Sequence, residues 1–227
     1  MVMAVPIRTS MGPARMFRDP RLLTLTQWLS PAYPTGAFAW SHGLETAVAE
    51  GWAYDEDSLE GWLRDVISEG TGRMDAIWII RSYGAETQEA VLEIHGLARA
   101  YAASAERLLE GERQGAAFVR VTRQVWALDL PDMIFPVALG RATRLADLPC
   151  APCVALYLQG VCTNLVSAAQ RLMPLGQTGA QRVLHRMMAL CVMVAEEAAE
   201  QEPCSQSFLS DIAAMRHEIQ KPRIFQS

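Results

Sequence analysis

Apolar residues along this chain recur mainly with the 3.6-residue period of an α-helix, and the alternation expected of strands is nearly absent. The clearest segment follows residues 57–60, which resemble a capping box with Asp57 as the cap. Its apolar positions fall at i, i+3, i+4, i+7 and i+8: Leu59, Trp62, Leu63, Val66 and Ile67. The same period predicts further helices at about 21–29, 41–50, 74–84, 87–103, 105–128, 136–146, 152–173, 180–201 and 208–219.

The predicted helices are separated by short breaks that carry proline or glycine, and no break is long enough to be an interdomain linker. We therefore expect a loose N-terminal segment at residues 1–20 and one all-α domain at 21–227. This domain is a bundle of about ten helices with residues 152–201 at its centre. Residues 208–227 form a docking helix and tail, because Ile224 and Phe225 leave apolar surface that the body of the protein or a partner must cover.

Composition narrows the class of protein further. The chain has 227 residues, about half of them apolar, and a net charge of −5, which argues against nucleic acid as the main partner. No run of about 20 apolar residues predicts a membrane span. Five cysteines at irregular spacing, without an export signal, are typical of a reducing compartment, and we expect the cytoplasm.

The predicted helix at 152–173 is apolar nearly all round, so we expect it to be buried on most sides. Its polar residues form one thin stripe: Gln159, Thr163, Ser167, and Gln170 or Arg171. Two interpretations are open, of which paired polar groups in the core are favoured. The other is a wet seam, either at a subunit interface or lining an internal passage.

The motifs that could carry chemistry are weak. Cys150 and Cys153 form a Cys-x-x-Cys pair at a helix start, but no strand precedes them and no second pair completes a zinc site. Buried structural thiols are therefore favoured. The four histidines form no metal-binding array, and nucleophile elbows and phosphate loops are absent. The sequence predicts no catalytic residue, cofactor or metal site.

Residues 30–45 specify a backbone path, since two prolines fix φ and the glycine at 36 frees it. Ser41 is predicted to cap a helix that has Glu45 in its first turn, where a carboxylate interacts favourably with the helix dipole.

The string Ser-Pro-x-x-Pro-x-Gly-x-Phe-x-x-Ser-x-Gly-Leu-Glu at residues 30–45 resembles the opening signature of the UreF family of urease accessory proteins. Three later blocks agree in order, at residues 136–140, 167–177 and 211–218, so the resemblance covers about residues 21–227. It implies an all-α homodimer that is not an enzyme. It further implies an adaptor that binds the accessory protein UreD, also called UreH, and with it recruits the GTPase UreG. The assembly regulates GTP-dependent nickel delivery to apo-urease.

The resemblance also suggests which residues to examine. Within the family blocks, Glu45 and Arg171 are the charged positions that we favour for function, and the C-terminal segment implies a contact with UreD. The partner-binding candidates are Ser41, Gly43, Glu45, Arg171, Gln177, Met215, Arg216, His217, Glu218, Arg223 and Phe225. The stripe Gln159, Thr163, Ser167 and Gln170 is a candidate polar channel, because the family's assembly is thought to pass nickel internally.

Two alternatives stay open at this point. One is a redox or metal-handling protein that uses Cys150 and Cys153. The other is a catalytic GTPase activator that inserts an arginine into UreG, with Arg171 or Arg223 as the candidate.

Overall fold

The computed structural model describes residues 20–227, which form an all-α bundle without strands in this range. Of the loose segment predicted at residues 1–20, only Pro20 is described, and it begins the first helix. The helices are α1 (Pro20–Trp28), α2 (Leu44–Ala49), α3 (Glu56–Ser68), α4 (Thr71–Gly84), α5 (Gln88–Ala100), α6 (Ala105–Trp126), α7 (Phe135–Leu145), α8 (Cys150–Leu172), α9 (Gln177–Glu197) and α10 (Phe208–His217). Short 3₁₀ turns cover Ala37–Ala39 and Ala198–Glu200.

The core is built around two closely packed helix pairs, α4 with α7 and α8 with α9. Gly140 permits the first of these contacts, because a Cβ at this position would lie 2.2 Å from the carbonyl oxygen of Ile79. Helix α3 packs on α9 and helix α6 packs on α7, which closes the bundle around one apolar core. Helix α10 lies against α2 and α6, so the C-terminal region covers the side of the bundle that carries the family's opening signature.

The apolar face predicted for α3 is confirmed, since Leu59, Trp62, Leu63, Val66 and Ile67 are all buried. The predicted cap of this helix is wrong. Asp55, not Asp57, is the N-cap, and its carboxylate accepts a hydrogen bond from Ser58 N at 2.9 Å. The Ser58 hydroxyl accepts in return from Asp55 N, which completes the capping box two residues earlier than predicted.

Helix α8 is less enclosed than its apolar sequence predicts. One face packs against α9, but Ser167 and Arg171 are exposed and Gln159, Thr163 and Gln170 are half-buried. By length and composition alone α8 could cross a membrane, and it is the only such helix within residues 20–227. Its buried face is a contact surface for neighbouring helices, which is the position of a core helix.

Candidate interaction site

The loop between α1 and α2 delivers Glu45 into the interior through a constrained backbone. Tyr33 anchors the loop on α6 by a 2.8 Å hydrogen bond to the Thr122 hydroxyl. His42 and Gly43 then both adopt positive φ, at 52° and 77°. The predicted cap is wrong, because Gly43 is the N-cap of α2, although the Ser41 hydroxyl still accepts from Glu45 N at 3.4 Å.

Gly43 is also the point where α2 meets α10. A Cβ on this residue would lie 2.7 Å from the backbone nitrogen of Ala214 and 3.0 Å from the Cβ of Ala213. Any side chain here would therefore push α10 away, in addition to the strain of positive φ. This close approach places Glu45, two residues later, directly beneath the C-terminal segment.

The carboxylate of Glu45 holds that segment by its backbone. One oxygen accepts from Ile224 N at 2.7 Å, and the other accepts from Phe225 N at 2.9 Å. The second oxygen also lies 3.1 Å from His217 Nε2 on α10. Glu45 is about 5% exposed, so these charge-assisted hydrogen bonds form out of reach of bulk water.

His217 joins Glu45 to a second carboxylate, that of Glu106 in the first turn of α6. The ring is fully buried, with its Nδ1 2.7 Å from the Glu106 carboxylate. Arg223 donates to the other oxygen of Glu106 at 2.5 Å, so this carboxylate contacts both α10 and the residues that follow it.

The tail residues after Arg223 alternate between outside and inside. Ile224 is exposed, whereas Phe225 is buried beneath the guanidinium of Arg171, whose carbon lies 4.1 Å from the ring centroid. Arg171 also donates to the carbonyl oxygen of Phe38 at 2.9 Å, which ties α8 to the loop. The body of the protein thus covers Phe225 and leaves Ile224 for solvent or a partner.

The end of the described chain is joined to the same loop by its backbone. Gln226 N donates to the carbonyl oxygen of Ala39 at 2.9 Å, and Ser41 N donates to that of Ser227 at 2.8 Å. The Ser41 hydroxyl donates to the same Ser227 oxygen. We call residues 218–227 the docked tail.

A second polar network lies behind the docked tail, on α6. Glu110 accepts from Arg107 and from Gln114 Nε2 at 2.7 Å, and one of its oxygens lies 2.9 Å from His42 Nε2. Burial by itself would raise the pKa of Glu110, but the charges and hydrogen bonds of Arg107 and His42 lower it to about 2. The Ser227 hydroxyl lies 3.5 Å from the same carboxylate, which connects the network to the tail.

Asp75 and Tyr157 extend this network towards α4 and α8. The Tyr157 hydroxyl donates to Asp75 at 2.6 Å, and Arg107 lies 3.7 Å from the same oxygen. Burial raises the pKa of Asp75 because Arg107 and Tyr157 only partly offset the loss of water. Burial, followed by the charge of Asp75, raises the pKa of Tyr157.

Two cavities flank the second network and share part of its wall. One, of about 150 Å³, is lined by His42, Gln159 and Thr163. The other, of about 60 Å³, is lined by Asp75 and Arg107. The polar stripe on α8 therefore divides. Gln159 and Thr163 face the larger cavity and are linked to each other, since Gln159 Nε2 donates to the Thr163 hydroxyl at 3.2 Å. Ser167 and Gln170 lie outside its lining.

The partner-binding candidates divide by exposure. Ser41, Glu45, His217 and Phe225 are buried, so they position the tail rather than present side chains outward. The exposed candidates on α10 and the tail are Met215, Arg216, Glu218 and Arg223. Gln177 is exposed at the start of α9.

Sequence reasoning missed Glu106, Arg107 and Glu110, although their spacing gave a signal. Glu106 and Glu110 are separated by four residues and therefore lie on one face of α6, where Glu110 falls among buried positions. A buried carboxylate needs cationic or donor partners. Arg107 and Gln114 supply some of these from α6 itself, whereas His42 and His217 lie 68 and 111 residues away in sequence from the carboxylates that they contact.

The cysteine pair at the start of α8 lacks the properties of a redox centre. Burial raises the pKa of Cys150 to about 11 and that of Cys153 to about 12. The Cys153 sulfur lies 3.3 Å from the Thr143 hydroxyl, inside the core. Both thiols therefore stay protonated at neutral pH, where only the thiolate is a good nucleophile. Across residues 20–227, no group of three His, Cys, Asp or Glu side chains could hold a metal.

Together, the all-α fold and this site define a helical bundle whose C-terminal region is fixed to its own body by backbone docking and ion pairs. The sequence profile of the UreF family matches residues 53–188. Urease accessory proteins UreF from Ruegeria pomeroyi and Cereibacter sphaeroides are 42% and 48% identical to this chain, over 92% and 91% of its length and 98% of their own. The protein of the same name from Rhodopseudomonas palustris is 36% identical over 98% of both chains. The chain belongs to the UreF family of urease accessory proteins, which support urease maturation.

Proposed function

We propose that this protein is the adaptor that bridges UreD (UreH) and the GTPase UreG and regulates GTP-dependent nickel delivery to apo-urease. One observation carries the proposal. The C-terminal region is fixed to the body by buried polar contacts, and it still presents a row of uncovered apolar side chains. These are Phe208, Leu209, Ile212, Met215, Ile219 and Ile224. We call this row the α10 face.

Single exposed apolar residues are common, whereas several on one helix face commonly mark a protein interface. Phe208, Ile212 and Met215 share one face of α10, and Ile219 and Ile224 follow the end of this helix. Phe208 is 73% exposed and Ile219 is 83% exposed. Arg216 lies beside the row, half-exposed and 5.7 Å from the Trp52 ring centroid. Apolar centres with an arginine at the rim are typical of protein–protein contacts. This surface suits UreD, the partner that the family resemblance assigns to the C-terminal segment.

The candidates that hold the C-terminal region in place support this role indirectly. Glu45, His217 and Arg171 hold α10 and the docked tail in one position, so the α10 face is preorganised before a partner arrives. Preorganisation reduces the ordering entropy lost on binding. Loss of any of these three side chains is therefore expected to weaken partner binding although none of them contacts the partner.

Size-exclusion chromatography with light scattering tests the adaptor role, using this chain co-expressed with UreD and UreG. The intact chain should co-elute as a defined complex, and removal of residues 208–227 should abolish it. Met215→Asp should also abolish it, whereas Val125→Asp, at a comparably exposed apolar residue on α6, should not. An intact chain that elutes alone beside soluble partners would refute the adaptor role.

A catalytic GTPase activator remains the alternative class, and the contacts of the candidate arginines weigh against it. Arg171 is engaged by Phe225 and Phe38, and Arg223 is paired with Glu106, so each has a structural task. If one of these arginines were a catalytic finger, its replacement by alanine would lower the rate of GTP hydrolysis by UreG without weakening binding to UreG. We expect Arg171→Ala to lose both.

The larger cavity supports a second part of the proposal, that the polar stripe of α8 contributes to nickel passage. The two halves of the stripe provide a matched pair for the test. Thr163→Leu, at the cavity wall, should lower nickel transfer, whereas Ser167→Leu, outside the wall, should leave it unchanged. Equal nickel transfer by both variants in an intact complex would refute the proposed passage. We further infer a homodimer in the cytoplasm, in keeping with the family resemblance.

A further inference from the structure

Two cysteines that the proposed function does not use lie in contact at the centre of the seam between α8 and α9. The Sγ atoms of Cys162 and Cys191 are 3.8 Å apart. The two residues are 0% and 2% exposed. The remaining cysteines are placed differently: Cys153 contacts Thr143, Cys150 is half-buried and Cys204 is exposed.

The two thiols are chemically unequal. With Cys162 as the donor, the hydrogen bond to the Cys191 sulfur, together with burial, raises the pKa of Cys162. The same hydrogen bond lowers the pKa of Cys191, although burial opposes it. Cys191 is therefore the sulfur that reaches the thiolate more readily, and Cys162 is a thiol already in contact with it.

We propose that Cys162 and Cys191 form an oxidation site, at which a small hydroperoxide converts the two thiols into a disulfide that links α8 to α9. The Cys191 thiolate attacks the peroxide oxygen, which breaks the O–O bond and gives a sulfenic acid and an alcohol or water. The Cys162 sulfur then attacks the Cys191 sulfur, and the sulfenic oxygen leaves as water with the Cys162 proton. In sum, two thiols and one hydroperoxide give one disulfide, one water and one alcohol, or a second water when the oxidant is hydrogen peroxide.

The movement that this reaction needs is small. A disulfide has an S–S bond of about 2.05 Å, so the two sulfurs must approach by about 1.8 Å in total. Each sulfur moves less than one ångström if the two share this approach equally. The helices themselves already pack along their lengths.

Burial makes the site selective for small oxidants. Hydrogen peroxide is little larger than water and can enter through local opening of the fold, whereas glutathione is a bulky tripeptide. The disulfide, once formed, is protected from the same bulky thiols. It closes a segment of 29 residues in sequence and should raise the melting temperature of the oxidised protein by several degrees. This inference goes beyond the proposed function and does not depend on it.

Peptide mapping of the folded full chain tests the proposal. The reduced protein is treated with hydrogen peroxide, its remaining thiols are blocked with N-ethylmaleimide in denaturant, and its proteolytic peptides are analysed by mass spectrometry. We expect a crosslinked peptide that joins Cys162 to Cys191, two hydrogens lighter than the separate peptides. If Cys162 and Cys191 were both alkylated, and therefore still reduced, while Cys204 was fully oxidised, the proposal would be overturned. Addition of oxygen to Cys162 or Cys191 without a crosslink would also overturn it.

Variants separate this site from incidental oxidation. Cys162→Ala and Cys191→Ala should each abolish both the crosslink and the rise in melting temperature, whereas Cys204→Ala should keep both. If either core substitution prevents folding, the peptide map of the wild-type protein still tests the proposal by itself. Circular dichroism of the treated wild type provides the final check. A crosslink that forms only at denaturant concentrations that unfold the chain would also overturn the proposal.

Discussion

Replacement of Glu45 by glutamine should release the docked tail while leaving the bundle folded. The carboxylate accepts from Ile224 N through one oxygen and from Phe225 N and His217 through the other. Glutamine keeps the shape but turns one acceptor oxygen into an NH₂ donor. Whichever way the amide points, at least one charge-assisted hydrogen bond is lost and a donor faces another donor.

The magnitude follows from these contacts. A hydrogen bond to a charged group contributes roughly 1.5–3 kcal/mol, and a buried donor left without a partner costs about 1–3 kcal/mol. Because these two penalties partly overlap, we expect tail docking to weaken by about 2–4 kcal/mol. Since 1.4 kcal/mol corresponds to a factor of ten, the population of the undocked tail should rise by roughly 30- to 700-fold.

Amide hydrogen exchange measures this change at the two affected donors, Ile224 N and Phe225 N. Their protection should fall by the same factor in Glu45→Gln, while amides of the α8–α9 core keep theirs. Glu50→Gln is the matched control. Glu50 caps the C-terminal end of the same helix, but it is half-exposed and its ion pair with Arg216 is long, at 3.8 Å. Unchanged protection of both tail amides in Glu45→Gln would refute the role of Glu45.

Three further predictions test the packing, the buried charges and the thiols. Gly43→Ala should loosen α10, because a Cβ at this residue, whose φ is +77°, would lie 2.7 Å from the backbone of α10. Gly51→Ala is the control, since Gly51 has a φ of +72° in open space and therefore reports the backbone strain alone. Equal losses of unfolding free energy in the two variants would contradict close packing at Gly43. The pKa of Glu110, lowered from 4.5 to about 2, predicts stability that is complete above pH 4.5 and falls by about 3 kcal/mol towards pH 2. The free energy of unfolding of Glu110→Gln, measured in urea, should depend less on pH in this window than that of the wild type. An equal pH dependence in both proteins would count against the network. Burial raises the pKa of Cys153 to about 12, so iodoacetamide should alkylate exposed Cys204 at least ten times faster than Cys153. Similar rates for the two thiols in the folded chain would refute the assignment of Cys153 as a buried, protonated thiol.

Periodicity predicted the helices well because it reports which positions along one element face the core. All five predicted core residues of α3 are buried, and α8 and α9 lie within four residues of their predicted bounds. The ends were less predictable because the local chemistry is ambiguous. Asp55 and Asp57 are both good caps, and only the extended backbone of Asp55, at φ −144°, distinguishes them.

The candidate site was predictable only in part, for a different reason. The resemblance singled out Glu45, Arg171 and His217, and the structure brings them to the same docked segment. The residues that these three contact come from distant parts of the chain. Glu106 lies 111 residues from His217, and Ile224 lies 179 residues from Glu45. A local pattern cannot report such pairings, so the spacing of Glu106 and Glu110 could indicate a shared face of α6 but not that these carboxylates serve the tail.

This arrangement also restricts how a partner can use the α10 face. Displacement of the tail would remove Arg223 and two backbone donors from Glu45 and Glu106, and would leave these carboxylates poorly paired against an apolar core. Leaving the buried carboxylate of Glu45 without its two backbone donors costs about 1–3 kcal/mol or more unless the partner supplies equivalent donors, whereas the half-exposed Arg223 adds little. A partner that binds the exposed row and leaves the tail in place avoids this cost and also covers Ile224. We therefore expect the amides of Ile224 and Phe225 to stay at least as protected in the complex with UreD as in the free protein. Faster exchange of both amides in the complex would show that the partner replaces the tail, and the α10 face would then be only part of the interface.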